Sequence, residues 1–302
     1  MKVLIFGSFN IDYVYSVNHF VQPGETLSAD DRQIFSGGKG LNQAIAFAKY
    51  GLETWQAGAV GAEDSAPLLE TLKEAGVRTD LVLKKEGPSG HTIIQNTPEG
   101  ENCIILFGGA NQAITKADVD HVLTFAEPGD YLVLQNEISE IPYLMDCAFE
   151  KGMHIVLNPS PVNEKIFRMP LEKAEYLILN EIEAAAILKE TGAVLPENAD
   201  GTALLNGLIQ EFPESKIVLT LGKEGSMYGY QTKRCAQGIF PVKTVDTTAA
   251  GDTFTGYFIG EIINGKTPEE ALKTAAMASA LAVGKKGAST SIPRLAEVRE
   301  AL

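Results

Sequence analysis

Short aliphatic or β-branched runs alternate with helical patterns along most of this chain, and that alternation is what most limits its fold. Lys2–Phe6 holds four apolar residues after a lysine and closes at Gly7. Asn42–Tyr50 is alanine-rich and stops at Gly51, a residue suited to the left-handed position after a helix. Thr54–Val60 reads as the next strand. Ser65–Ala75 follows as a helix, with Ser65 as N-cap, Pro67 in the first turn and Gly76 at the end. Tyr131–Leu134, Ile155–Leu157, Tyr176–Leu179 and Lys216–Leu221 are too short for helices, and Pro142–Lys151, Glu181–Thr191 and Ala203–Phe212 lie between them with helical spacing. Asp252–Asn264, Pro268–Lys285 and Pro293–Leu302 read as consecutive helices. This order predicts an α/β fold, a central, mostly parallel sheet covered on both faces.

Two regions break the rhythm. Between Ile11 and Phe35, and again between His91 and Phe107, polar and apolar residues alternate without an intervening helix. Tyr13, Tyr15 and Val17 share one face; Thr92–Gln95 and Cys103–Phe107 read as a hairpin turning at Pro98–Asn102. Such pieces predict a small separate antiparallel sheet over the edge of the main one. At 302 residues a chain buries about 75% of its unfolded surface. One domain spanning 1–302 is therefore expected, with a lid sub-domain from 11–35 and 89–108.

Composition removes several function classes. Lys+Arg is 25 against Asp+Glu 39, a formal charge of −14, which repels nucleic acid and anionic membranes. No apolar stretch approaches the roughly 18–20 residues of a membrane span. The first residues read as a strand and turn, not a secretory leader, so a cytoplasmic location is expected. Cys103, Cys147 and Cys235 are too few and too scattered for a disulfide framework or a zinc site. His19, His91, His121 and His154 show no metal spacing and are read as surface or lid residues.

In open α/β sheets ligands bind beyond the carboxyl ends of strands. Glycines and polar residues gather in three such places: Gly7–Asp12 after the first strand, and Ser36–Gln43 and Asp246–Asp252, each before a helix. In the last of these, small residues let backbone N–H groups approach an anion at a helix N-terminus. Asp252 would repel a phosphate there, but it suits a base that takes a proton from an attacking hydroxyl. The bland alternative is an aspartate that merely favours the helix dipole. Gly38-Lys39-Gly40 lacks the hydroxyl residue of a P-loop, and Gln43 stands where a dinucleotide G-x-G-x-x-G pattern needs glycine. Asn42 and Gln43 are read either as site residues or as caps. Asn180 and Glu183 offer hard oxygen donors suited to Mg²⁺, and equally form a capping-box pattern.

SGGKGLNQA at 36–44 and DTTAAGDTFTGYF at 246–258 resemble the two signatures of the ribokinase-like carbohydrate kinases, the phosphofructokinase-B type. GSFNID at 7–12, PGET at 23–26, GENCIILFGGAN at 100–111, LNPSP at 157–161, NEIE at 180–183, TLGKEG at 220–225 and KKGASTSIP at 285–293 are similar in the same order. The resemblance covers essentially the whole chain. It implies a three-layer sandwich with a small β lid, and ATP-dependent phosphorylation of a sugar hydroxyl. Asp252 matches the family's base, and Ala249, Ala250 and Gly251 its anion hole. Asn10, Asp12, Gly38, Lys39, Asn42 and Glu137 match pentose contacts. Asn180, Thr220, Gly222, Gly225 and Gly251 match nucleotide positions, and Glu183 the Mg²⁺-associated carboxylate. Asp246, Thr248 and Ser291, with the carbonyls of Ala282, Lys285 and Gly287, match a K⁺ site. Ala276 stands where relatives place His or Asn near adenine. Lys39 and Gln43 favour the ribose branch; deoxyribose, a ketohexose or a non-catalytic sensor are the alternatives. A homodimer through the lid is the family expectation.

Overall fold

Every residue of the first strand is buried, the pattern of a strand covered on both faces. The computed structural model describes residues 1–302 except Val194, Leu195, Glu197 and Asn198. In chain order the strands are β1 (Val3–Phe6), β2 (Asn10–Ser16), β3 (Asp31–Gly37), β4 (Thr54–Gly61), β5 (Arg78–Lys85), β6 (Gly90–Asn96), β7 (Asn102–Phe107), β8 (Tyr131–Gln135), β9 (His154–Asn158), β10 (Tyr176–Asn180), β11 (Lys216–Thr220), β12 (Ser226–Tyr230) and β13 (Lys233–Gln237). The helices are α1 (Lys39–Tyr50), α2 (Ala66–Glu74), α3 (Lys116–Leu123), α4 (Ile141–Glu150), α5 (Glu181–Glu190), α6 (Gly201–Glu211), α7 (Ala250–Ile263), α8 (Pro268–Val283) and α9 (Leu295–Ala301).

The main sheet has the order β13-β12-β11-β10-β9-β8-β1-β4-β5. It is parallel from β11 to β5, and β12 and β13 extend it through antiparallel pairings. Strand pleating sends Leu4 and Phe6 into one core and Val3 and Ile5 into the other. The first core is closed by α3–α6 through Val122, Leu144, Ile187 and Leu208; the second by α1, α2, α7 and α8 through Ile45, Leu72, Phe258 and Leu272. From β1 the strand order runs outward through β4 one way and β8 the other, so the topological switch lies between β1 and β8. No helix among the described residues is long and apolar enough to cross a membrane.

A second sheet, order β3-β2-β6-β7, forms the lid. Its two outer pairings are antiparallel, as expected, while the central β2–β6 pairing is parallel. Both central strands leave the carboxyl end of the main sheet, after β1 and after β5, and so point the same way. Asn10 and Asp12 therefore sit on a strand, not in a loop.

Three local readings change. Ser65 has helical backbone angles and makes no capping bond, so Pro67 in the first turn starts α2 instead. His154 is a partly exposed residue of β9, not of the lid, paired with Glu175 and packed 4.7 Å from the Tyr131 ring. Strands β5, β12 and β13 have no counterpart in the sequence reading. β5 and β13 are the sheet edges, where charges such as Arg78, Lys233 and Arg234 interrupt any apolar run, and β12, SMYGY, lies just inside β13 with too few aliphatic residues to show.

Candidate active site

The site forms where β1, β8, β9, β10 and β11 end. Gly7 and Gly40 allow β1 to meet α1: a Cβ on Gly40 would lie 2.5 Å from the Gly7 carbonyl carbon, and one on Gly7 would collide with Gln135. Gly38, the residue before α1, has φ 96° and no side chain to cap with. Glu137 supplies the missing acceptor from beyond β8, taking the Lys39 N–H at 3.1 Å and the Ser8 hydroxyl. The Ser8 oxygen accepts the Gly40 N–H at 3.2 Å. One Glu137 oxygen is thus spent on closing the helix; the side chain also lines the cavity below.

Asn10 and Asp12 stand two residues apart on one face of β2. Asn111, from the 3₁₀ turn Gly109–Gln112, is fully buried and fixes Asn10 by donating to its Oδ1 at 2.9 Å, so the Asn10 NH₂ group is left for a ligand. Thr92 of β6 donates to Asp12 Oδ1 at 2.6 Å. A Cβ on Gly37 would collide with the Asp12 carboxylate, and one on Gly90 with Asn111 and Asn10. These lid glycines make room for polar side chains. Burial pushes the Asp12 carboxyl up to about 6 and the neighbouring Glu137 charge adds to this, against the Thr92 bond. Burial works against the Lys39 ammonium, but Asp252, Glu137 and Glu183 outweigh it and hold its pKa above the ordinary lysine value.

Asp252 sits in the first turn of α7, 6% exposed. Helix α7 packs closely on α1, where a Cβ on Gly256 would come within 2.5 Å of the Ala46 Cβ. That crossing brings two α1 amides to the carboxylate: Asn42 Nδ2 donates to Oδ2 at 3.1 Å and Gln43 Nε2 to Oδ1 at 3.0 Å. Asn42 and Gln43 lie inside the helix and are not its caps. Asn42 Oδ1 is buried without a partner, an acceptor suited to a ligand hydroxyl. The turn before α7 is held in an unusual shape. Ala249 has φ 60°, a left-handed conformation that costs on the order of 1–2 kcal/mol in a residue with a Cβ. Ser279 of α8 donates to the Ala250 carbonyl at 2.7 Å and braces it. The Ala250 N–H turns back to the Thr247 carbonyl at 3.3 Å, so the Gly251 N–H is the better anion donor.

Two cavities open on this turn. One, of about 560 Å³, is lined by Asn10, Asp12, Gly38, Lys39, Asn42, Glu137 and Asp252, with Ile94, Ile104 and Leu106 of the lid above. The other, of about 580 Å³, is mostly apolar and contains Gly222, Gly225, Phe240, Ala276 and Val283. They share Asn180, Thr220, Thr247, Ala250 and Gly251 as lining. A chamber with many polar side chains and a more apolar one meeting at a helix N-terminus suit a hydroxylated acceptor and a base-bearing phosphate donor.

The profile of the pfkB family carbohydrate kinases matches residues 1–295. A ribokinase of Staphylococcus aureus is 35% identical over 311 residues, 99% of either chain. The chain belongs to the pfkB carbohydrate kinase family. Among solved structures, a Cryptococcus neoformans ribokinase in complex with ADP has TM-score 0.88 at 31% identity, covering 100% of this chain and 99% of its own. An Arabidopsis thaliana ribokinase complexed with ribose and ATP has TM-score 0.86 at 28% identity, covering 99% and 97%. The protein is an ATP-dependent carbohydrate kinase with the ribokinase fold.

The remaining expected residues of this pfkB kinase fall into two groups. Asn180 and Glu183 form the capping box of α5, each side chain bonding the other's N–H at 2.9 Å. Glu183 also lines the acceptor cavity, so capping and a water-mediated role toward Mg²⁺ are compatible. In the second group, Asp246 accepts from the Thr248 N–H at 2.9 Å, the Thr248 hydroxyl at 2.6 Å and the Gly287 N–H at 3.0 Å. Burial works against that charge, but these bonds hold the carboxyl below its ordinary range. They tie the 246–248 loop to the one after α8. The Ser291 hydroxyl donates to the Ala288 carbonyl in its own turn at 2.8 Å. The Ala282 carbonyl accepts the Lys285 N–H at 3.0 Å. Ser8, Thr92, Asn111, Asn158 and Gln135 were not singled out as site residues from sequence. The signal for Ser8, Asn111 and Asn158 was their place inside motifs already noted, GSFNID, GENCIILFGGAN and LNPSP.

Proposed function

We propose that this kinase transfers the γ-phosphate of ATP to the 5-hydroxyl of ribose, with Asp252 as general base and the N–H groups of Ala249, Ala250 and Gly251 as the anion cradle. The observation that carries the reading is the meeting of the two cavities at that cradle, with Asp252 on the acceptor side only. The ribokinases among its relatives support ribose as the acceptor. Asn10, Asp12, Asn42 and Glu137 offer donors and acceptors for several hydroxyl groups, and Lys39 a cation between acceptor and phosphate. Gly38 lets the backbone approach the sugar. Asn180, Thr220, Gly222 and Gly225 hold the nucleotide, and Ala276 leaves space beside its base. Glu183 would face the water of a nucleotide-bound Mg²⁺, which would supply charge neutralisation; Asp246, Thr248, Ser291 and the carbonyls of Ala282, Lys285 and Gly287 would hold K⁺. Closure of Ile94, Ile104 and Leu106 over the acceptor excludes water that would compete for the phosphate.

The outer lid face supports a homodimer. Ile34, Tyr13, Ile93 and Ile105 stand opposite one another across the four strands, and the three isoleucines are exposed. Sedimentation velocity tests this directly; a monomer at micromolar concentration removes the dimer.

The deciding assay is ADP release from ATP and Mg²⁺ across pentoses and hexoses, with and without K⁺. Ribose is expected to give the highest kcat/KM, raised by K⁺. Another sugar at the top would move the acceptor, and silence across the panel would overturn the reading. A second expectation concerns pH. Asp12, with its carboxyl near 6, gains a proton as pH falls through that value, and the oxygen left free by Thr92 turns from a charged acceptor into a donor, weakening its bond from a sugar hydroxyl. The KM for sugar should therefore rise by about tenfold between pH 8 and pH 5, and a KM flat over that range would take Asp12 out of sugar recognition.

A further inference from the structure

The carboxylate of Asp252 can act as a base only if its oxygens face the acceptor cavity, and what holds them there is a chain of buried amides. Gln43 is 0% exposed and Gln135 1%. Gln43 Nε2 donates one proton to Asp252 Oδ1 at 3.0 Å and lies 3.4 Å from Asn158 Oδ1. Its Oε1 accepts from Gln135 Nε2 at 2.7 Å. Asn158 cannot reverse its own amide cheaply, because its Nδ2 donates to the Ile178 carbonyl at 2.8 Å.

The orientation of Gln43 follows from these neighbours. Turned over, its oxygen would face the Asp252 carboxylate and Asn158 Oδ1, and its NH₂ would face the NH₂ of Gln135. The contacts with Asp252 and Asn158 would be repulsive, and Gln135, whose Oε1 has no partner, would have to turn its own amide to restore the third. Residues from the ends of β8 and β9 thus fix one amide of α1, which in turn fixes the base on α7. The backbone is shaped around the relay as well, since Gly7 has no Cβ where Gln135 lies.

We propose that Gln43 is the positioning residue for Asp252, with Gln135 and Asn158 setting its amide; the inference rests on Asp252 being the base. Gln43 does not touch substrate. Its contribution is to keep Asp252 Oδ1 from rotating into other hydrogen bonds, leaving the carboxylate aligned with the sugar hydroxyl. Misalignment of a reacting group by about an ångström costs on the order of 10²-fold.

The test is a kinetic cycle on the full-length protein, with folding read by circular dichroism and thermal melting. Gln43→Leu is expected to lower kcat by about 10²-fold while KM for sugar and for ATP changes by less than about threefold. Gln135→Leu, one bond further away, should give a smaller loss of the same kind, and it carries the test if Gln43→Leu does not fold. Gln43→Leu combined with Asp252→Asn should cost no more than Asp252→Asn alone. A multiplicative loss in that double variant, or a normal kcat in folded Gln43→Leu, overturns the positioning role. So does a rise in sugar KM without a fall in kcat. Failure of the underlying reading looks different: Asp252→Asn would itself retain turnover, or the wild-type protein would release no sugar-dependent ADP.

Discussion

Asp252→Asn is expected to lower kcat by about 10²–10⁴-fold, the range that a general base contributes, with the affinity for sugar far less affected. The substitution keeps the shape of the side chain and removes its ability to take a proton. It also disturbs the local hydrogen bonds. Both Asp252 oxygens accept amide protons, from Asn42 and Gln43, and an asparagine can offer only one oxygen to those two donors. One donor is then left facing an NH₂ group, so a modest fall in thermal stability accompanies the loss of turnover. Asp252→Ala separates the two effects, because it removes the proton acceptor without adding an opposing donor. Loss of kcat in both variants, with sugar binding measured by calorimetry retained, is the expected pair of results. Turnover within threefold of wild type in either variant rules out Asp252 as the base.

The residues that carry this argument were unequally legible in the sequence. Asp252 could be picked out because an aspartate at the end of a small-residue turn is chemically odd beside an anion cradle. The main sheet was legible because buried parallel strands such as Val3–Phe6 and Tyr176–Asn180 are nearly continuous apolar runs. Its edges were not, since Arg78–Lys85 and Lys233–Gln237 carry the charges that protect an exposed strand. The amides Gln43, Gln135 and Asn158 were invisible as a group for a different reason. They lie on three elements, and 92 residues separate the first pair. No local pattern records a contact at that separation. Asn111 is similar, about a hundred residues from the Asn10 it orients: its motif marks the residue but not its partner. Strand pairing within the lid was half legible: hairpin chemistry identified β6 and β7, but the parallel β2–β6 contact depends on where both strands leave the main sheet.

Gly251 gives the second large effect, and its sign differs between stability and activity. It lies in the first turn of α7 with an ordinary negative-φ backbone, is exposed, and has no atom within 4 Å of where a Cβ would stand. Nothing in the fold requires glycine there, unlike Gly7, Gly37 or Gly40, where an added Cβ meets other atoms of the protein. A residue with freedom to be larger, held as the smallest, is explained by something that approaches the backbone from outside. Gly251 lines both cavities, and in the proposed reaction the phosphate passes between them. Gly251→Ala is expected to fold at least as well as wild type, since alanine favours a helix over glycine by up to about 1 kcal/mol. In the proposed reaction its methyl group would nevertheless crowd a phosphate approaching the Gly251 N–H. Gly251→Val fills the space further. Loss of one such donor costs on the order of 10²–10³-fold in turnover, so kcat/KM for ATP should fall through that range from alanine to valine while the melting temperature holds or rises. Activity and stability falling together would instead make Gly251 a folding requirement. Wild-type turnover in the valine variant would move the phosphate away from the start of α7, because no anion could then be using that N–H.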